Sequence, residues 1–156
     1  MTTNSADQKF DWATIATMDQ DGQNGAVTAA YAAIADQDEA TRRESLSRAI
    51  ESVYRMPDDQ LRSMTEARLR AWLALPEDKA AVVGNSFESV MDTMPAEIAM
   101  RRVTVVQSVA FKLKADELEH LQHIVPRVLG DTPKVTATAA PAQPQSRPWW
   151  KFWAKA

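Results

Sequence analysis

The chain has 156 residues, of which 25% are charged, a formal net charge of −3 and no cysteine. That length suits one domain with tails, and the lack of cysteine excludes disulfides, thiolate metal sites and a cysteine nucleophile. The charge is unevenly placed. Residues 1–130 hold 14 Lys/Arg against 20 Asp/Glu, whereas 131–156 hold 4 against 1, so the acidic part repels nucleic acid and anionic lipid while the basic part is drawn to both.

Residues 1–7 carry no basic or apolar run and do not read as a secretory signal. Ser5 and Gln8 resemble a capping box for a first helix carrying Phe10, Trp12, Ile15 and Met18. The polar, glycine-containing stretch 19–25 predicts a break after it. Counted as a calcium loop from Asp19, its sixth position is Asn24 and its twelfth Ala30. An EF-hand needs Gly and Glu there, so a plain turn is expected. Residues 1–25 thus form an N-terminal segment with a short helix, and 26–130 a helical domain that opens on an Ala-rich helix at 26–35.

Pro57, Pro76 and Pro95 recur every 19 residues, each followed within two positions by Asp or Glu. Proline lacks an N–H that the first turn of a helix leaves unpaired, and carboxylates favour the positive end of the helix dipole. This predicts helices near 39–56, 57–75, 76–94, 95–113 and 115–129. Periodicity agrees: Leu46, Ala49, Ile50, Val53 and Tyr54 follow one helical face, as do Leu61, Met64, Trp72 and Leu75. The apolar run at 103–111 is too short to span a membrane. Pro126 is expected to bend the last helix. The fold class is therefore all-α, a compact bundle or array of about five to seven short helices.

Several residues qualify as sites. Arg68 and Arg102 fall within the apolar faces of their helices. The simplest placement runs their stems along the core edge with the heads in water; the alternative is an internal ion pair or a pocket for an acidic group. His120 and His123 could share a metal with Asp116 on one helix, but they project away from the Leu118/Leu121/Val125 stripe and lack a third strong ligand. They are weak candidates, and no metal or cofactor is expected. Ala80, Gly84 and Val90 match the skeleton of a helix-turn-helix, yet residues 86–93 contain two acids and no base. Phosphate contacts need Lys and Arg, so a helix break at Gly84 is the expectation.

Residues 131–148, rich in Pro, Ala, Thr and Gln, read as a flexible linker. Beyond it, Trp149, Trp150, Phe152 and Trp153 gather on one side of a helical wheel, with Lys151 and Lys155 opposite. An interfacial anchor divides its residues in this way. The ordering cost of about 1–2 kcal/mol per residue offsets much of the aromatic gain, so a single tail at 149–156 binds weakly and reversibly. The expected function is non-enzymatic: an adaptor or accessory protein whose body engages an unidentified protein partner, and whose tail tethers it to an anionic membrane surface or to a second protein. Self-association would add avidity. The expected location is the cytoplasm, at a membrane surface where the tail engages one. Two alternatives stand beside it. The tail packs back on its own domain, or the arginines at 42, 43, 48, 55, 62, 68 and 70 form a basic face for nucleic acid. The acids interleaved with those arginines disfavour the nucleic-acid reading.

Overall fold

The computed structural model of the protein describes residues 10–129. Those residues form seven helices: α1 (Trp12–Ala16), α2 (Gln20–Ala35), α3 (Glu39–Val53), α4 (Asp58–Ala74), α5 (Glu77–Met91), α6 (Ala96–Ala110) and α7 (Ala115–Ile124). There is no strand among the described residues, so the β-branched run at 103–106 is helical. The linker at 131–148 and the tail at 149–156 lie outside the described residues, as do Ser5 and Gln8.

The helix starts have two chemistries. Asp11, Asp19 and Asp38 cap α1, α2 and α3 by accepting the backbone N–H of Thr14 (3.1 Å), Gly22 (2.7 Å) and Thr41 (2.8 Å). Pro57, Pro76 and Pro95 precede α4, α5 and α6 without a side-chain cap, and the acids Asp58, Asp59, Glu77, Asp78 and Glu97 occupy the first turns.

Four local expectations differ from the structure. The stretch at 19–25 is not a break but the start of α2. Asp19 caps it, and the buried Gln23 side chain donates to the carbonyls of Ala16 (3.0 Å) and Met18 (3.1 Å), closing the α1–α2 corner. These bonds and the buried face of α2 outweigh the roughly 0.5–1 kcal/mol that a helical glycine costs. The first helix starts at Trp12 under Asp11, with Phe10 outside it. Finally, α5 runs unbroken through Gly84. A Cβ there would lie well inside 3.0 Å of Val125 Cγ2, so the glycine admits the chain that follows α7. Pro126 ends α7 rather than bending it, since the residue before proline is pushed out of the helical region; Val125 sits at φ −128° and ψ 86°.

Helix α4 is central, packing on α2 and α6 and touching α5 and α7, while α3 packs on α5. Its residues from Met64 through Leu69 are buried on every side. A ladder of rings ties the layers together. Phe10, Trp12, Tyr31, Trp72 and Phe87 follow one another at centroid spacings of 5.8, 5.9, 6.0 and 5.4 Å, within the range of favourable aromatic pairs. Trp12, Ile15 and Ala16 belong to the same core cluster as Trp72 and Phe87.

Candidate functional site

The most unusual chemistry of the described body is a polar cluster inside its core. Arg102 on α6 and Glu88 on α5 are both buried and form an ion pair through Nη2 and Oε2. Arg102 Nη2 also donates to the carbonyl of Arg127 at 2.7 Å. Arg127 in turn holds Asp92 with two bonds, of 2.8 and 2.5 Å. The network thus joins α5, α6 and the segment after α7. Burial pushes the Glu88 carboxyl above its ordinary value, against the pull of Arg102, Arg68 and Arg127.

Arg68 on α4 is also buried, but it meets rings rather than a carboxylate. Its Nη1 donates to the Tyr54 hydroxyl at 3.0 Å. Its guanidinium carbon lies 4.2 Å from the Phe87 centroid and 5.3 Å from that of Trp72, a cation–π arrangement. Nε and Nη2 make no hydrogen bond to the protein. Beside it is a cavity of about 10 Å³ walled by Trp12, Tyr31, Tyr54, Met64 and Phe87, about one water in size. Burial raises the pKa of the Tyr31 hydroxyl, while nearby Arg68 opposes the shift. The simplest expectation for both arginines is therefore corrected: neither head reaches water. Arg68 and Arg102 share Glu88 as an electrostatic partner, and both guanidiniums are fixed.

The histidines stand apart from this cluster. His120 and His123 are exposed on α7, with His123 Nε2 3.7 Å from Glu77 Oε1. No group of three or more His, Cys, Asp or Glu converges to hold a metal among the described residues. Six of the seven arginines at 42–70 have partners within the protein. Arg48, Arg62 and Arg70 pair with Glu44, Asp59 and Glu66, Arg42 and Arg43 donate to Ser86 and Ser89, and Arg68 is inside. Trp149, Trp150, Lys151, Phe152, Trp153 and Lys155 lie outside the described residues. No helix among the described residues is long and apolar enough to cross a membrane.

Two features were not singled out in the sequence. Arg101 donates to the carbonyls of Tyr54 and Met56 and to Asp58, the last two at 2.7 and 2.6 Å, pinning the α3–α4 corner to α6. Its neighbour Arg102 drew attention through its apolar face; Arg101 lies off that face and gave no signal. Near Arg101, between the start of α4 and α6, a groove of about 130 Å³ is lined by Leu61, Arg62, Thr104, Val105 and Ser108. No protein family, curated protein or solved structure matches the chain.

Proposed function

We propose that the protein is a non-enzymatic adaptor whose helical body binds a partner protein and whose segment 149–156 tethers it to an anionic membrane surface. The observation that carries this reading is the division of that segment, Trp149, Trp150, Phe152 and Trp153 against Lys151 and Lys155, after a stretch too polar and proline-rich to build a core. The body supports it by needing no further rings. Trp12, Trp72 and Phe87 already fill its centre, and the cavity among them, about 10 Å³, has no room for an indole. Lysines near an anionic surface each contribute about 1 kcal/mol, which makes the attachment reversible and sensitive to salt.

Co-sedimentation with vesicles of phosphatidylserine and phosphatidylcholine tests it. The intact chain should bind anionic vesicles, less so at high salt, and a chain lacking 146–156 should not. Equal binding by both forms would remove the membrane tether.

One observation favours a second reading, in which the tail folds back. The groove between α4 and α6 is open, of indole size, and flanked by Arg62 and Arg101, which can stack on rings. Tryptophan emission that shifts when Arg62, at the exposed rim of the groove, is replaced by Glu, but not when vesicles are added, would favour it over the tether.

A further inference from the structure

Helix α6 lies at the edge of the body. It packs principally on α4, and its opposite side faces solvent. There Met100 is 72% exposed and Phe111, at its C-cap, 76%. The other large exposed hydrophobics among the described residues, Met18 and Val82, are each at 41%. Gln107, also exposed, and Thr104, exposed at the rim of the groove towards α4, complete the stripe. At 100° per residue, positions 100, 104, 107 and 111 fall within an arc of about 60°. Their intervals of four, three and four are those of a heptad seam, and they read the same in both directions. The stripe carries no charge. Glu97 stands near its N-terminal end, and Lys114 lies just beyond its C-terminal end. Arg101 is drawn off the stripe by Tyr54, Met56 and Asp58.

We propose that this stripe is a homodimer seam, occupied by α6 of a second copy lying antiparallel across a two-fold axis level with residues 105 and 106. A two-fold contact is self-complementary: if one residue meets another, the reverse contact also forms. The spacing satisfies that rule. Met100 meets Phe111 of the second copy, a thioether on a ring, and Thr104 meets Gln107, a hydroxyl against an amide that can both give and accept a hydrogen bond. Antiparallel docking sets the helix dipoles in opposition and brings the Glu97 end of one helix to the Lys114 end of the other. Parallel docking would stack Glu97 on Glu97. An uncharged seam also suits self-association of a body with an excess of acids, because two copies of a predominantly acidic face would repel. A single helix pair falls short of the area that stable dimers bury, so the dimer is concentration-dependent.

Sedimentation equilibrium of the full chain, from micromolar to millimolar protein and without lipid, tests the dimer independently of any membrane tether. The mass should rise towards twice that of one chain. Phe111→Asp and Met100→Asp should each hold it at one chain, with an unchanged melting temperature because both positions are exposed. Register is tested by oxidation, since the chain has no cysteine of its own. Gln107→Cys lies about 4.5 Å along the axis from its own counterpart and should form a disulfide-linked dimer. Met100→Cys lies about 16 Å from its counterpart and should link only when mixed with Phe111→Cys. A chain that stays monomeric throughout, or a dimer that both aspartates leave intact, overturns the seam. Self-linking of Met100→Cys as readily as Gln107→Cys overturns the antiparallel register.

Discussion

Two glycines in two helices should respond to the same substitution with opposite signs. Gly25 in α2 is exposed, and a Cβ built there meets nothing within 4 Å. Gly25→Ala therefore gains helix propensity, about 0.8–1 kcal/mol, with nothing against it. Gly84 in α5 is buried, and the same Cβ overlaps Val125 Cγ2. Val125 is itself fully buried, and its β-branched side chain is stiff at χ1. Relief therefore requires moving the backbone after α7, and overpacking of this kind costs about 1–3 kcal/mol. After the propensity gain, Gly84→Ala should destabilise by up to about 2 kcal/mol. Urea unfolding of the two single variants measures the difference. Val125→Ala alone should also destabilise, by emptying a packed site, but in the Gly84→Ala background it should cost less. A coupling of about 0.5–3 kcal/mol in the double-mutant cycle is expected for touching residues. If Gly84→Ala stabilises as much as Gly25→Ala, or if the cycle shows no coupling, the close approach of α5 to Val125 is not what glycine serves there.

The polar core and the caps give further tests. Arg102→Met leaves the Glu88 carboxylate buried without its ion-pair partner and should cost about 3–5 kcal/mol at neutral pH, most of it recovered in the double variant Arg102→Met/Glu88→Leu. That loss depends on pH with a definite sign. Without Arg102, burial raises the folded pKa of Glu88 further, so the single variant keeps its stability below the ordinary carboxylate value and loses it as pH rises through the folded pKa; a flat profile in melting temperature would contradict this. Arg68→Met should be mild, within about 1 kcal/mol by chemical denaturation, because methionine keeps the stem's packing and removes a buried charge that no carboxylate touches. A loss above about 3 kcal/mol would mean that Glu88 serves both arginines equally. The exposed carboxyls Asp11, Asp38 and Asp58 are held below their ordinary value of 3.8, by the hydroxyl and N–H of Thr14, the N–H and hydroxyl of Thr41, and the guanidinium of Arg101. Their contribution is present above that value and is lost as pH falls through the lowered folded values. Melting temperature should drop in that acid range, and Asp38→Asn, which keeps the acceptor but not the charge, should make the drop shallower.

The helix map could be read from the chain because its signals are local. Each of Pro57, Pro76 and Pro95 immediately precedes a helix, and the acids that follow meet the new dipole. The misread places are those where a distant group decides a local outcome. Gly22 and Gly25 look like a break until Asp19 and Gln23 are seen satisfying the α1–α2 corner. Gly84 looks like one until Val125, far along the chain, is found against it. Periodicity placed Arg68 and Arg102 on apolar faces, but it could not supply their surroundings. Glu88 lies on the preceding helix from Arg102, and the rings beneath Arg68 come from α4 itself and from α5. A carboxylate at position 88 reads as a solvated helix residue until α5 is turned towards the core.

The seam on α6 and the segment 149–156 meet in one last prediction. On the proposed tether, one tail alone would bind a vesicle weakly, because ordering its own backbone offsets much of the aromatic gain. Two tails on one dimer change the arithmetic. Once the first is seated, the second is confined near the same surface, and linked sites of this kind exceed single-site affinity by about 10²–10⁴. Phe111→Asp leaves the tail untouched, yet it should lower vesicle affinity by at least tenfold at protein concentrations where the intact chain is dimeric. The effect should disappear at dilutions where both are monomers. Trp153→Ala should lower affinity at every concentration and leave the sedimentation mass unchanged. If Phe111→Asp abolishes the dimer but binds vesicles as tightly as the intact chain, the tails act singly and the seam serves something other than the tether. If both variants lower binding and mass together, the tail itself is part of the contact between copies, and α6 is not the whole of it.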